Sequence, residues 1–263
     1  PFFLSGSGYR EGTLFPWTLS DFSLMDAIEC GIVKLPRVPI IDNVPHNELP
    51  MFRNLWDHIR VDMPRKAPPK GQDLDPLEIP LLLQTALQSL YGHYEKQHEL
   101  WSEKTKIPPC FIVVCQNTAI SKVVFEYISG FERQDKDGST STTPGRMELF
   151  RNYDSHGNRL GKPNTLLIDS SHMEFEGALP KEFRNLYDSE IEQFRQARLL
   201  RTGDRKQAAK ISDVDLMREV MNTVGRKDEL GAQIGCVVSV GMLTEGWDAN
   251  NVTHILGIRA FHS

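Results

Sequence analysis

Gly246 and Asp248 stand two positions apart in the loop "GMLTEGWDAN" (241–250), between the apolar runs "IGCVVSV" (234–240) and "THILGI" (253–258). A glycine lets the backbone approach a ligand closely. An aspartate two positions on can accept hydrogen bonds from ribose hydroxyls. Ser239 and Thr244 add hydroxyls that suit a phosphate backbone. The same loop also has a plainer reading: Gly246 serves a tight turn, Trp247 anchors the core and Asp248 caps the turn that follows. A second candidate loop is "CQNT" (115–118), where Gln116 and Asn117 follow the apolar run "CFIVVC".

Three other groupings carry less. "IDSSHMEFEG" (168–177) gathers Asp169, Ser170, His172, Glu174 and Glu176. A Ser-His-Asp hydrolase brings its triad from separate loops, no G-x-S-x-G elbow precedes this one, and H-x-E alone is a weak metal signal. The plainer reading is a solvated loop. The basic tract "RQARLLRTGDRKQAAK" (195–210) could face phosphates, but such runs more often form a solvated helix face. The phosphate-cradling pattern G-x-x-x-x-G-K-[ST] does not occur, so this chain alone is not expected to hydrolyse ATP. Cys30, Cys110, Cys115 and Cys236 form no C-x-x-C pair and read as reduced, mostly buried thiols of a cytoplasmic protein rather than zinc ligands. Cys110 and Cys115 fall on opposite faces of any strand.

Elements that could position these residues follow from periodicity. "CFIVVC" (110–115) reads as a strand buried on both faces. The next segment reads as a helix capped by Asn117, with Ile120, Val123, Val124, Tyr127 and Ile128 on one face. Further strands are expected at 165–170, 234–240 and 253–258, and helices at 80–101, 181–200 and 213–224, the last capped by Asp213. Another helix is expected between Ser20, as its cap, and Gly31, with Leu24, Ala27 and Ile28 on one face. Residues 1–20 read as a packed loop, 42–80 as a proline-rich linker, and 132–164 as a mobile polar insertion with hairpin character. Strands alternating with helices predict an α/β protein with a parallel sheet, and ligands of such sheets bind at the carboxyl ends of the strands. The chain has 263 residues, 40% hydrophobic and 25% charged, which argues against disorder. Its formal net charge of -5 gives no overall nucleic-acid signal, and no apolar run approaches the length of a membrane span.

"VVSVGMLTEGWDANNVTHILGIRAFHS" (237–263) resembles motif V and the approach to motif VI of superfamily 2 helicases, above all the restriction (Res) subunit of type III restriction-modification enzymes. The opening stretch from "PFFLSGSG" to "LPRVPI" is similar to the segment after motif III of that family, and "LMREVMNTVG" and "TLLIDSSHMEFEG" fit between its motifs IV and V. The resemblance implies a RecA-like motor of two lobes. Residues 1–45 would hold the end of the first lobe and the crossover, 46–105 a linker and helical insertion, and 106–263 the second lobe with its insertion at 132–164. It implies ATP and Mg2+ as cofactors, double-stranded DNA and a modification (methyltransferase) subunit as partners, and no membrane. By position, Glu245, Gly246, Asp248 and Arg259 would approach the nucleotide, and Gln116, Asn117, Ser239 and Thr244 the DNA. It further implies an internal piece of a longer protein, with Ser263 at the start of the motif VI helix. Two readings compete with a motor: a nucleotide- or DNA-binding lobe without turnover, and a hydrolase using His172.

Overall fold

The structure is a computed structural model that describes residues 3–4, 13–14, 22–35, 54–65, 74–134, 138–168, 188–203, 211–240 and 249–260. The chain divides into two units, Pro1–Pro50 and Met51–Ser263.

In the first unit, β1 (Phe3–Leu4) pairs antiparallel with β2 (Thr13–Leu14), within the stretch read as loop. Helix α1 (Leu24–Glu29) starts at Ser23, not at Ser20. Ser23 Oγ accepts from the Asp26 N–H while the Asp26 carboxylate accepts from the Ser23 N–H at 2.7 Å. This reciprocal pair satisfies two end groups, which a lone serine at position 20 cannot do. Gly31 ends the turn at φ 69°, as its position predicts. On α1, Ala27 is buried while Leu24 is exposed, so the expected shared face is divided.

The second unit is built on four parallel strands: β3 (Cys110–Cys115), β6 (Thr165–Ile168), β7 (Cys236–Val240) and β8 (Val252–Ile258). Their order in the sheet is β6-β7-β3-β8. Between β3 and β6 the chain forms α4 (Thr118–Ser129) and an antiparallel hairpin, β4 (Gly130–Gln134) with β5 (Thr140–Pro144). Helices α5 (Asp188–Thr202) and α6 (Asp213–Asn222) lie between β6 and β7. Ahead of the sheet come α2 (Leu55–Ile59) and the long α3 (Leu81–Ser102).

Strand alternation sends side chains to two cores. Phe111, Val113, Cys115, Leu167, Val238, Leu256 and Ile258 face α2, α3 and α4. Cys110, Ile112, Leu166 and Val237 face α5 and α6 through Ile191, Leu216 and Val220. Cys110 and Cys115 therefore do lie on opposite faces, and burial pushes the Cys110 thiol up to about 12. The sheet is thus covered on both faces, as parallel sheets usually are.

Local rules explain most of these elements. The Asn117 side chain accepts from the Ile120 N–H at 3.0 Å and caps α4. Ile120, Val123, Val124, Tyr127 and Ile128 are all buried along its inner face. The helix stops at Gly130, whose φ of 94° turns the chain into β4. A Cβ on neighbouring Gly145 would sit 2.1 Å from the Ile128 carbonyl, so only glycine permits this crossing. Helix α6 is capped by Ser212, not Asp213, again through a reciprocal pair with Asp215. Of the predicted helix 181–200, residues 181–187 lie outside the described residues; Ile191 is buried as expected.

Two stretches hold more structure than their polar composition predicts. The proline-rich linker contains α2, whose Leu55 and Ile59 join the core together with Met63 and Ile79. The stretch 132–164 continues past its hairpin into a turn that buries Met147 and Phe150. Among the described residues, no helix is long and apolar enough to cross a membrane.

Candidate functional site

The sheet order sets β3 and β7 side by side with connections that run in opposite directions. From β3 the chain passes over to β6, on one side of β7; from β7 it passes over to β8, on the other side of β3. Connections that leave adjacent strands in opposite directions open a gap at their carboxyl ends, and ligands of open α/β sheets bind there. Gln116 and Asn117 follow β3, Ser239 lies near the end of β7, and Arg259 follows β8, so four of the candidate residues meet at this edge. Glu245, Gly246, Asp248 and Thr244 lie outside the described residues, as do the cluster 169–177 with His172, and Ser263.

Ser239 pairs in register with Val114 on one side and Ile168 on the other. Alternation puts it on the Val237 face, towards α5 and α6. It is 1% exposed, and its hydroxyl has no hydrogen-bond partner among the described residues. A buried hydroxyl without a partner loses about 1–3 kcal/mol of hydration, so such groups are rare and call for a reason.

Gln116 and Asn117 have side chains already engaged. Gln116 Oε1 accepts from the Ala260 N–H at 3.0 Å and so ties the exit of β3 to the exit of β8. Asn117 caps α4 through Oδ1 and donates from Nδ2 to the Pro64 carbonyl at 3.4 Å. Contact from Asn117 to a phosphate would therefore draw on backbone, or would uncap the helix. Arg259 is half-buried, and its Nε donates to the Ala260 carbonyl at 3.4 Å.

The loop after β7 is anchored where it returns. Asn251 Nδ2 donates to the Pro108 carbonyl at 2.8 Å, and its own carbonyl accepts from the Cys110 N–H at 2.8 Å. These bonds lie at the amino end of β3, so Val240 and Asn251 stand at opposite ends of the strands. Nothing in the loop's composition announced Asn251 as its anchor; its partners are more than 140 positions away in sequence.

The basic tract is largely neutralised in its described part. Arg195 pairs with Glu192 on the same helix, and Arg198 reaches Asp215 on α6 at 3.2 Å. These pairs favour the structural reading of the tract over a phosphate-binding one. Among the described residues, no group of three His, Cys, Asp or Glu side chains could hold a metal ion, so no magnesium site is assigned to them. A cleft of about 490 Å³ lies between α2 and the start of α3. Of its polar lining, His58, Asp62 and Glu78 are exposed, and the half-buried Gln84 already donates to the Ile79 carbonyl.

Parallel strands with helices on both faces define an open α/β protein. In comparisons with protein-family models, curated proteins and solved structures, none matches the chain.

Proposed function

We propose that the chain forms the RecA-like second lobe of an ATP-driven translocase acting on double-stranded DNA, of the kind found in type III restriction enzymes. What supports this reading is the helicase-like run from Val237 to Ser263, the four-stranded parallel sheet, and the adjacent carboxyl ends of β3 and β7. The observation that carries it is Ser239: a buried hydroxyl without a partner among the described residues, at the carboxyl end of a central strand. In this reading that hydroxyl is satisfied when nucleotide or DNA engages the loop above it. The lobe binds the ribose through Asp248, and Arg259 lies beside the nucleotide. Hydrolysis takes place only with a first lobe that supplies the phosphate loop and magnesium, and a methyltransferase partner reads the DNA site.

Asp248→Ala tests the nucleotide half of the proposal. Loss of hydrogen bonds from a charged acceptor corresponds to about 1.5–3 kcal/mol, a roughly ten- to hundredfold fall in DNA-stimulated ATP hydrolysis by the motor that contains this chain. Stimulation that survives the substitution removes Asp248 from the role. Nucleotide binding without turnover in the complete motor would instead identify a non-catalytic binding lobe.

Ser239→Ala separates function from packing. Removing an unpartnered buried hydroxyl is expected to leave the fold as stable as before, or more stable by up to about 1 kcal/mol. The same change is expected to weaken binding of double-stranded DNA, or its coupling to ATP hydrolysis, several-fold. Unchanged binding and coupling at unchanged stability would show that Ser239 serves neither.

A further inference from the structure

His254 is the one buried histidine among the described residues. It sits on the edge strand β8, and both of its ring nitrogens are engaged. Nε2 lies 2.8 Å from Nδ1 of His93 on α3, and Nδ1 lies 2.9 Å from Thr253 Oγ1. The ring stacks on Phe111 with an interplanar angle of 7° and meets the edge of Tyr94. His93 itself is exposed, so the contact joins a solvent-facing imidazole to a buried one.

Two imidazoles at this distance need one hydrogen between them, donated by either ring. One added proton still leaves an N–H facing a lone pair. A second added proton turns the contact into two facing N–H groups on two cations, with one of them out of water. The groups packed around His254 offer no compensation. From α3 come His93 and Tyr94, from β3 the Phe111 ring, and from β8 itself the Thr253 hydroxyl. His93 is the one charge-bearing group acting on His254, and it disfavours the charged form. Glu95, the carboxylate nearest to His93 in sequence, acts on Tyr91 instead.

We propose that the His93–His254 contact is an acid-sensitive clasp that fastens α3 to the edge strand β8 and opens when both rings are protonated. Burial first, and His93 second, hold the His254 pKa down to about 4. The sign follows from linkage. The folded state prefers neutral His254, so the clasp contributes fully above the ordinary histidine value of about 6.5 and is lost as pH falls from there towards 4. Beyond β8 the chain continues into Arg259 and Ala260, the latter held by Gln116. Opening the clasp therefore loosens the strand that ends at the carboxyl edge. This inference does not depend on the proposed function.

Two measurements on this chain test it. The first follows the ring-proton NMR shifts of His254 from pH 8 to 4, with α3 amide resonances recorded alongside. The expected result is a His254 titration well below the ordinary histidine value of about 6.5, with α3 and β8 amides moving in step. A His254 titration near the ordinary histidine value would overturn the proposal. The second is urea unfolding of wild type and His254→Phe at pH 7.5 and pH 4.5. Between these pH values the unfolding constant of wild type is expected to rise roughly fiftyfold more than that of the variant. Equal pH dependence of the two proteins would also overturn the clasp. If His254→Phe does not fold, His93→Gln replaces it: a neutral partner in place of His93 is expected to raise the His254 titration, and an unmoved titration counts against the pair.

Discussion

Phe150→Ala is expected to destabilise the second unit by about 3–5 kcal/mol, the range for emptying a well-packed aromatic site. Phe150 is fully buried in the turn that follows the β4–β5 hairpin. Its ring meets Tyr94 at 4.6 Å, Tyr91 at 5.3 Å and Phe111 at 5.7 Å between centroids. Each such aromatic pair adds about 0.5–1.5 kcal/mol beyond the area it buries. The surroundings cannot collapse easily. Tyr94 is held by its hydroxyl, which donates to the Pro109 carbonyl at 2.8 Å, and Tyr91 by the Leu149 N–H, which donates to its hydroxyl at 3.0 Å. Burial raises both phenols, Tyr91 to about 12, so neither ionises in the range where the protein would be handled. Urea unfolding is the check: the midpoint should fall with the slope unchanged. A loss under about 1 kcal/mol would mean that this turn lies outside the cooperative core.

Asn152→Ala is expected to cost a similar amount, about 3–5 kcal/mol, by a different route. Asn152 is 4% exposed and makes three hydrogen bonds. Its Oδ1 accepts from the Asn164 N–H at 2.9 Å and the Thr165 N–H at 3.0 Å, and its Nδ2 donates to the Thr165 carbonyl at 2.9 Å. Alanine leaves two N–H groups and one carbonyl without partners at the start of β6. Each unmade buried bond costs about 1–3 kcal/mol. Hydrogen exchange reads the effect directly: the Asn164 and Thr165 amides should lose protection more than those of α4. Asn152→Asp should recover only part of the loss, since a carboxylate keeps the acceptor and lacks the donor. Full protection of both amides in Asn152→Ala would contradict the anchoring role.

The sequence by itself determined the elements whose signals are local. The strand Cys110–Cys115 and the helix that follows it could be read because an apolar run, a capping asparagine and a five-residue apolar face all lie within 19 consecutive residues, 110–128. Helix α3 was legible for the same reason, with Leu83, Leu87 and Tyr94 at helical spacing. The two misplaced caps, Ser20 for Ser23 and Asp213 for Ser212, were legible too: in each case a serine precedes an aspartate by three positions, the reciprocal capping pattern.

Tertiary structure decided what depends on distant partners. Strand order is one case: β7 pairs with β3 across more than 100 residues, and nothing in either run specifies that β6 lies outside β7. Leu55, Ile59, Met147 and Phe150 became core only because the sheet and α3 present a surface to them; their own neighbourhoods are polar or rich in proline. The candidate site follows the same division. Residue types placed Gln116, Asn117, Ser239 and Arg259 at strand ends, but their availability is a matter of contacts. Gln116 is held by Ala260, 144 positions on; Asn117 is spent on its own helix; Ser239 is left without a partner among the described residues. His254 is the plainest example. One histidine among eight in the sequence, it is singled out only because folding buries it against His93, 161 positions away, where water no longer solvates a second charge.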